Sequence, residues 1–234
     1  MLYTKTVSPR IVEALEKISA LKELRSFRLV GGTALALQLG HRESVDVDMF
    51  SDTAFDGRTL EYLLGNLFPE MQVLSRSLNG FSCKLNEVRC DFYDWRNKFI
   101  RGSIDFKGIK IASLEDIAAF KLDALSHRTE TKDFWDIAEL LDKFSLQQLL
   151  GFYREKYPFQ DIRIVMDSLP KVHSLQDNIN YKIYRDHTLD LVKQKIQKSL
   201  DNFFNKQIEN KQKQIEKRVK NAEKLIKKKK KGGH

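Results

Sequence analysis

The chain has 234 residues, 41% of them hydrophobic and 31% charged, which is the composition of a globular protein with one large core or two small ones. The sequence contains no apolar run long enough to cross a bilayer, and residues 1–10 lack the apolar core of a signal peptide, so we expect neither a membrane protein nor a secreted one. Two cysteines are too few for a disulfide framework, which predicts a reducing, cytoplasmic location.

The net charge of +9 is concentrated near the C-terminus. Residues 201–231 carry twelve Lys or Arg and four Asp or Glu, a net charge of +8, which leaves +1 for the rest of the chain. Any affinity for nucleic acid that arises from charge alone is therefore expected in this basic tail rather than in the body.

The spacing of apolar residues predicts alternating helices and strands in the first third of the chain. A first helix begins at Ser8-Pro9, where a capping residue precedes a residue favoured in the first turn. The following elements are a strand at 27–30, a helix at 33–39 ended by Gly40, a strand at 45–50, a helix at 56–67 and a strand at 72–77.

Residues 81–93 predict a β-hairpin with Asn86-Glu87 as its two-residue turn. This register separates an apolar face from a polar one, which a slip by one residue would mix. It pairs Leu85 with Val88, Cys83 with Cys90, and Ser82 with Asp91. Both cysteines are expected to be reduced neighbours on the apolar face, while Asp91 lies on the polar face together with Lys84 and Arg89.

After a last strand at 108–112 the pattern becomes helical, beginning at a capping box formed by Ser113 and Asp116. Further helices are predicted at 149–157, at 162–169 and from about His187. In the tail, apolar residues spaced by four and seven permit a helix with a narrow apolar seam, before a disordered-looking lysine run at 227–231. The seam consists of Phe204, Ile208, Ile215, Val219 and Ile226.

The stretch GGTALALQLGHRESVDVDMF at 31–50 carries the strongest chemical signal. Gly31 and Gly32 permit a close approach of the backbone to a phosphate, and Thr33 adds a hydroxyl at a helix N-terminus, where free N–H groups favour anions. Asp46 and Asp48 alternate with apolar residues, so their carboxylates leave one face of a strand about 6.6 Å apart and can converge on one cation. The alternative is a solvent-facing strand with two ordinary aspartates.

This stretch resembles the signature of the polymerase-β-type nucleotidyltransferases, and more narrowly that of the AbiEii/AbiGii abortive-infection toxins of bacteria. A second block, KLDALSHRTETKDFWDI at 121–137, resembles the later motifs of that family. Two ordered blocks are far more specific than a single glycine-rich turn. The resemblance covers roughly residues 25–145 and implies an α+β fold, with a polymerase-β-like mixed sheet flanked by helices.

We therefore predict a nucleotidyltransferase core at 1–112, a helical region completing the active site at 113–200, and a Lys-rich tail, partly helical or disordered, at 201–234. Asp46 and Asp48 are the expected ligands of Mg²⁺ or Mn²⁺, with an NTP as substrate, and the polar face of the hairpin makes Asp91 the candidate third metal-binding carboxylate. Asp91 has two further interpretations, as the acceptor of the proton from the attacking hydroxyl or as the salt-bridge partner of Arg89 or Lys84.

The resemblance makes Lys121 the catalytic lysine that contacts the triphosphate, with Arg128 and Lys132 as further phosphate ligands. Arg128 could instead tie its helix to the acidic strand. The alternative for Lys121 is a surface lysine on an amphipathic helix. Asp133 and Asp136 share a helix face, and we expect Asp136 in catalysis and Asp133 in nucleotide binding. One of the two could instead cap the helix, while the other bonds Lys121; the sequence leaves this open.

The predicted reaction is transfer of a nucleoside monophosphate to a hydroxyl acceptor, with release of pyrophosphate. The resemblance implies the toxin of a toxin–antitoxin or phage-defence system in the bacterial cytoplasm, with an antitoxin as partner and the 3′ end of tRNA as acceptor. One alternative is transfer to a protein hydroxyl, such as AMPylation. The other is a nucleotide- or RNA-binding module without turnover.

Overall fold

The computed structural model describes residues 2–177, 179–185 and 188–231, without the side chains of 222 and 225–231. The chain begins with helix α1 (Pro9–Ser19), which Ser8 caps by accepting the N–H of Ile11, and whose apolar stripe is buried. The next elements are strand β1 (Phe27–Val30), helix α2 (Gly31–Leu39), strand β2 (Val47–Ser51), helix α3 (Gly57–Leu67) and strand β3 (Gln72–Ser77). These bounds confirm the predicted order, including the end of α2 at Gly40, which adopts a left-handed conformation.

One mixed sheet of seven strands forms the centre of the fold. Its remaining strands are β4 (Gly80–Leu85), β5 (Val88–Asp94), β6 (Ile104–Phe106) and β7 (Ile109–Ile111), and the spatial order is β3-β4-β5-β2-β1-β7-β6. The central pair β1–β2 is antiparallel, whereas β2–β5 and β1–β7 are parallel. The parallel pairing of β2 with β5 places Asp48 directly beside Asp91.

The hairpin β4–β5 has the predicted register, with the pairs Leu85–Val88, Cys83–Cys90 and Ser82–Asp91. Asn86 and Glu87 both have positive φ angles, 46° and 68°, as a two-residue hairpin turn of the I′ type requires. Both cysteines are free and buried, and burial raises the pKa of the Cys83 thiol to about 12. The hairpin therefore presents Asp91 on the face opposite to its apolar core.

Three local expectations need correction. Strand β2 begins at Val47 rather than at residue 45, so Asp46 precedes the strand and Val45 is 60% exposed. Strand β6 was not predicted, because its three residues are too short for an alternation to be recognised. Ser113 caps the next helix as expected, but the carboxylate of Asp116 accepts the N–H groups of Ile100 and Arg101 instead of completing a capping box.

The second half of the chain is helical. It consists of α4 (Leu114–His127), α5 (Thr131–Leu140), α6 (Leu146–Lys156), α7 (Ile162–Ser168) and α8 (Leu189–Lys231). Helix α4 packs against α2, α5, α6 and α7, so the helical region and the sheet share one hydrophobic core. Within the described residues, no helix is both long and apolar enough to span a membrane.

Helix α8 leaves the body near residue 200. Val192, Ile196 and Leu200 are buried, whereas every residue from 204 to 221 is exposed. The helix runs through 227–231, where a disordered run was expected, while His187 and the side chain of Ile226 lie outside the described part of the chain. The division into units at 112 and 200 remains a prediction, although the change in burial at Leu200 supports the second boundary.

Candidate active site

Two aspartates lie side by side where the start of β2 pairs with the middle of β5, and a third precedes them along the chain. Asp48 and Asp91 are direct neighbours on the parallel strands, and Asp46 lies two residues before Asp48. Burial, together with the negative charges of Asp91 and Asp46, raises the pKa of Asp48 to about 6, although Lys121 and Lys132 act in the opposite direction. The mutual repulsion of these carboxylates is what a bound cation would relieve.

The Gly-Gly turn lies directly against this cluster. Gly31 is the first residue of α2 and has a φ of +66°, and a Cβ built on it would lie 2.0 Å from Oδ2 of Asp48. A Cβ on Gly32 would lie 2.6 Å from Nη2 of Arg42. The N-terminus of α2, with its free N–H groups, is therefore held beside Asp48 at a distance that only glycine permits.

Thr33 has different partners from those expected. Its side chain is fully buried, and its hydroxyl contacts Oγ of Ser44 at 2.9 Å and the backbone carbonyl of Asp46. This corrects the expectation that the hydroxyl faces a phosphate. Thr33 instead ties the start of α2 to the loop that carries Asp46.

The second sequence block forms a buried ionic network. Nζ of Lys121 lies 2.9 Å from Oδ1 of Asp133 and 2.5 Å from Oδ2 of Asp136, and both carboxylates are fully buried. Burial alone would lower the pKa of Lys121, but the charges of Asp136 and Asp133 raise it above its ordinary value. With 5% exposure Lys121 is not a surface lysine, and its positive charge acts to lower the pKa of Asp48.

Arg42 and His41 complete this network and were not predicted as site residues. Asp136 accepts Nε and Nη2 of Arg42 at 2.7 and 2.8 Å, and contacts Nε2 of His41 at 2.8 Å. These basic partners hold the pKa of Asp136 well below its usual range, despite burial. Both residues lie between Gly40 and Asp46, but nothing in their spacing indicated a partner 94 or 95 residues away.

Arg128 and Lys132 lie at the rim of the site. Nε of Arg128 is 2.7 Å from Oδ2 of Asp133, and Lys132 is paired with Glu130 at 3.1 Å. Both side chains are partly exposed, and the charge of Asp48 contributes to a raised pKa of Arg128, after larger contributions from Asp133 and Glu130. Asp133 does not cap α5, because the residue in the capping position is Glu130, whose side chain makes no capping bond.

Asp91 retains an oxygen that no hydrogen bond satisfies. Its Oδ1 is buried without a hydrogen-bond partner among the described residues, and its ion-pair contact there is Nε of Arg89 at 3.5 Å. The predicted alternative of a salt bridge to Arg89 is thus present as a long contact, whereas Lys84 pairs with Glu87. An orphaned carboxylate oxygen beside Asp48 fits a divalent cation.

In the described ranges, no group of three or more His, Cys, Asp and Glu residues is arranged to hold a metal ion, so Asp46, Asp48 and Asp91 do not form a three-carboxylate site by themselves. Mg²⁺ is commonly bound by one or two carboxylates together with substrate phosphates, rather than by an all-protein cage. The pair of Asp48 and Asp91 therefore has the donor chemistry for an ion that a triphosphate helps to bind.

Comparison with known proteins points to the same chemistry. The sequence model of a family described as "Nucleotidyl transferase AbiEii toxin, Type IV TA system" matches residues 13–75 and 89–225. An uncharacterized protein of Aquifex aeolicus (strain VF5) is 29% identical over 198 residues, which cover 81% of this chain and 96% of that protein.

Solved structures of similar fold include MenT4, a nucleotidyltransferase toxin of Mycobacterium tuberculosis H37Rv. It has a TM-score of 0.56 and 15% identity, over 82% of this chain and 80% of MenT4. A protein of H. pylori, assigned only provisionally as a nucleotidyltransferase, has a TM-score of 0.50 and 16% identity, over 84% of this chain and 93% of its own. At these identities the likeness establishes the fold, and the match of the family to both sequence blocks adds the activity.

Proposed function

We propose that this chain, which belongs to the AbiEii family of nucleotidyltransferase toxins, transfers a nucleoside monophosphate from an NTP to a terminal hydroxyl of RNA. The observation that carries the proposal is the pair formed by Asp48 and Asp91, which lie side by side next to the N-terminus of α2. Family membership supports nucleotidyl transfer itself; the metal, the acceptor and the roles of single residues are our inference.

In the proposed reaction, an oxygen of the acceptor hydroxyl attacks the α-phosphorus of the NTP. The new bond joins that oxygen to phosphorus, the bond from the α-phosphorus to the bridging oxygen breaks, and pyrophosphate leaves with the electron pair. The proton of the hydroxyl passes to the carboxylate of Asp91, through the oxygen that the cation would not use. Mg²⁺ or Mn²⁺ held by Asp48 and Asp91, with Asp46 beside them, would neutralise phosphate charge when bound.

The basic groups around the carboxylates suit the triphosphate. Free N–H groups at the N-terminus of α2, from Gly31 onward, favour an anion, as do the partly exposed side chains of Arg128 and Lys132. The ammonium of Lys121 has three donors, and Asp133 and Asp136 engage two of them, which leaves a donor for a phosphate oxygen.

Asp133 and Asp136 are better suited to positioning than to contact with substrate. Both are fully buried and both bond Lys121, while Asp136 also holds Arg42 and Asp133 also holds Arg128. We therefore propose that Asp133 and Asp136 orient the side chains of Lys121 and Arg128. This replaces the catalytic role expected for Asp136 and the nucleotide contact expected for Asp133.

The charge distribution favours RNA as the acceptor. The tail carries +8 of the net charge on a helix that projects from the body, and clustered lysines bind phosphates independently of sequence. As a member of a type IV toxin–antitoxin family, the chain is also expected to have a cognate antitoxin in a bacterial cytoplasm. Transfer to a protein hydroxyl would use the same catalytic groups and differ only in the acceptor.

The decisive experiment incubates the protein with each of the four α-labelled NTPs, Mg²⁺, purified tRNA and a protein lysate. We expect one or more NTPs to label tRNA, and periodate oxidation of the RNA 3′ end to prevent labelling. The Asp48→Asn variant is the control for contaminating activity. If protein is labelled and RNA is not, the acceptor is a protein hydroxyl rather than RNA. If the parent gives no more label than Asp48→Asn with any NTP, the proposal is wrong.

A further inference from the structure

The C-terminal part of α8 is a long helix that nothing else in the described chain covers. Every residue from 204 to 221 is exposed, and residues 204–231 extend over about 42 Å at 1.5 Å per residue. A single helix of this length without a partner has little tertiary packing to support it. The apolar and charged side chains on its surface therefore indicate which kind of partner would cover it.

Four large apolar side chains form a narrow seam along this helix. Phe204, Ile208, Ile215 and Val219 are each about half exposed, at 52, 55, 52 and 51%. At about 100° per residue they fall within roughly 60° of the helix circumference. Such a seam is typical of a two-stranded helix pair, because a helix that lies on a membrane or packs on a core has a wider apolar face.

Charged residues with seven-residue spacing flank the seam, and the two flanks have opposite sign. Glu209, Glu216 and Glu223 follow one edge, while Lys211 and Arg218 follow the other. The lysines on the opposite surface of the helix point away from the seam. They are Lys206, Lys213, Lys217, Lys220 and Lys224.

This arrangement fits a heptad repeat. Ile208 and Ile215 occupy d positions and Val219 an a position, while Asn205 and Gln212 are polar residues at the preceding a positions. The glutamates then stand at e, and Lys211 and Arg218 at g, as does Phe204 at the start of the seam. Polar residues at single a positions are known to fix the register and number of helices at a cost in stability.

We propose that the occupant of this seam is a second copy of the chain, joined through a parallel two-stranded coiled coil over residues 205–226. In a parallel pair each g residue faces the e residue five positions later on the other helix. Lys211 then meets Glu216 of the partner subunit, and Arg218 meets Glu223 of the partner subunit. Both charged flanking pairs are attractive, and the five lysines named above face outward on both helices.

The same charges disfavour the other arrangements. An antiparallel pair would bring the glutamate flanks together and the basic flanks together. RNA would engage the outward lysines and would leave the apolar seam in water. The complementarity between the two flanks of one helix is therefore what selects an identical, parallel partner.

Sedimentation equilibrium of the full chain tests this dimer. We expect reversible dimerisation, and an increase of about tenfold or more in the dissociation constant for Ile208→Asp combined with Ile215→Asp. Lys213→Gln combined with Lys220→Gln is the matched control on the outward face and should dimerise like the parent. A chain that stays monomeric at every concentration, or a seam variant that dimerises like the parent, would overturn the proposal.

Cysteine cross-linking tests the orientation. Asn205→Cys and Val219→Cys should each form a covalent dimer on mild oxidation, since equivalent a positions meet only in a parallel, in-register pair. Lys206→Cys and Lys220→Cys, one residue further along on the outward face, should not. The native thiols of Cys83 and Cys90 are buried and give no background. Cross-linking at only one of the two a positions would contradict the parallel register.

Discussion

The carboxylate of Asp48 occupies the space that a side chain at Gly31 would need. A Cβ on Gly31 would lie 2.0 Å from Oδ2 of Asp48, and the φ angle of Gly31 is +66°. Both observations require glycine, one through contact and the other through backbone conformation. Because Asp48 lies on β2 and Gly31 at the start of α2, this contact sets how closely the helix N-terminus approaches the carboxylate cluster.

We therefore expect Gly31→Ala to displace Asp48 and to abolish nucleotidyl transfer. The left-handed conformation alone costs about 1–2 kcal/mol for a residue with a Cβ, and the clash adds to it. Gly65→Ala is the matched control, since Gly65 lies in α3 with only Met71 as near as 4.0 Å, and should stabilise the fold by about 0.5–1 kcal/mol. Thermal melting and label transfer compare the two, and an active Gly31→Ala enzyme would contradict this interpretation of the turn.

Asp48→Asn should reduce nucleotidyl transfer by about 100-fold or more while leaving the protein folded. The amide keeps the shape of the side chain but removes the charge that would hold the cation, and it relieves repulsion with Asp91 and Asp46. Melting temperature should therefore be unchanged or raised. Asp52→Asn, four residues along and paired only loosely with Lys98 at 3.9 Å, should retain parental activity. A folded, active Asp48→Asn protein would remove this residue from the site.

The raised pKa of Asp48 predicts how stability depends on pH. The native carboxyl titrates near 6, whereas the unfolded one titrates near its ordinary value of 3.8. Between these values the native state binds more protons, so this group makes stability fall as pH rises through the window. At about 1.36 kcal/mol per pKa unit, the free energy of unfolding changes by at most about 3 kcal/mol. Solvent screening reduces this change, because Asp48 is half-buried.

The stability advantage of Asp48→Asn over the parent should thus grow between pH 4 and pH 6 and stay constant above, as melts in urea would show. Added Mg²⁺ should raise the melting temperature of the parent at pH 7 more than at pH 4.5, because protonation competes with the cation. The melting temperature of Asp48→Asn should not rise with added Mg²⁺ at either pH. A parent that Mg²⁺ leaves unchanged at every pH, with NTP present, would contradict the metal assignment independently of activity.

Lys121 and Lys156 are both buried and paired with carboxylates, so comparing variants of the two separates an effect on catalysis from an effect on folding stability. Lys121 pairs with Asp133 and Asp136, and Lys156 pairs with Asp116 at 3.0 Å beside the rings of Phe120 and Phe99. Replacing either by methionine keeps most of the volume but leaves buried carboxylates less compensated, at a cost of about 2–4 kcal/mol.

Only Lys121→Met should lose activity in its folded state, by about 100-fold, because we assign the remaining donor of Lys121 to the triphosphate. Lys156→Met should keep activity close to that of the parent, per folded molecule. Assays below the melting transition of both variants, with folded fraction measured by circular dichroism, make the comparison. If the two variants are equally active per folded molecule, Lys121 has only a structural role.

Short-range patterns predicted much of this fold because they depend on neighbours along the chain. The register of the β4–β5 hairpin follows from alternation and turn chemistry, and the end of α2 follows from Gly40. The parallel pairing that brings Asp91 to Asp48 was not predicted, because the hairpin register indicated only that Asp91 lies on a polar face. The two sequence blocks identified the family because each preserves residue types at fixed spacing.

Long-range partners were beyond such patterns. Arg42 and His41 bond Asp136, more than ninety residues later, and nothing local distinguishes them from surface residues. Thr33 was assigned to phosphate, but the fold buries its hydroxyl against the loop of Asp46, and Asp116 likewise turns to the backbone of Ile100 rather than to its own helix. In each case tertiary packing selected a partner that the sequence distance conceals.

The last prediction concerns the outward lysines of α8 and the RNA acceptor. Replacing Lys206, Lys213, Lys217 and Lys220 by glutamine should weaken RNA binding while leaving the seam, and hence any dimer, intact. Counterion release makes log affinity fall with log salt by about 0.7 per single-strand phosphate neutralised, so the slope should become shallower as the substitutions remove lysine charges from the RNA backbone.

Truncation after Asn205 should weaken RNA binding more than these substitutions do. It retains Leu200 and the partly buried Phe203, so the melting temperature should stay close to that of the parent. RNA affinity at two salt concentrations, with melting as the control for folding, distinguishes the outcomes. If the truncated protein folds and binds RNA unchanged at both salts, the tail is not the RNA anchor, and a protein hydroxyl becomes the better candidate for the acceptor.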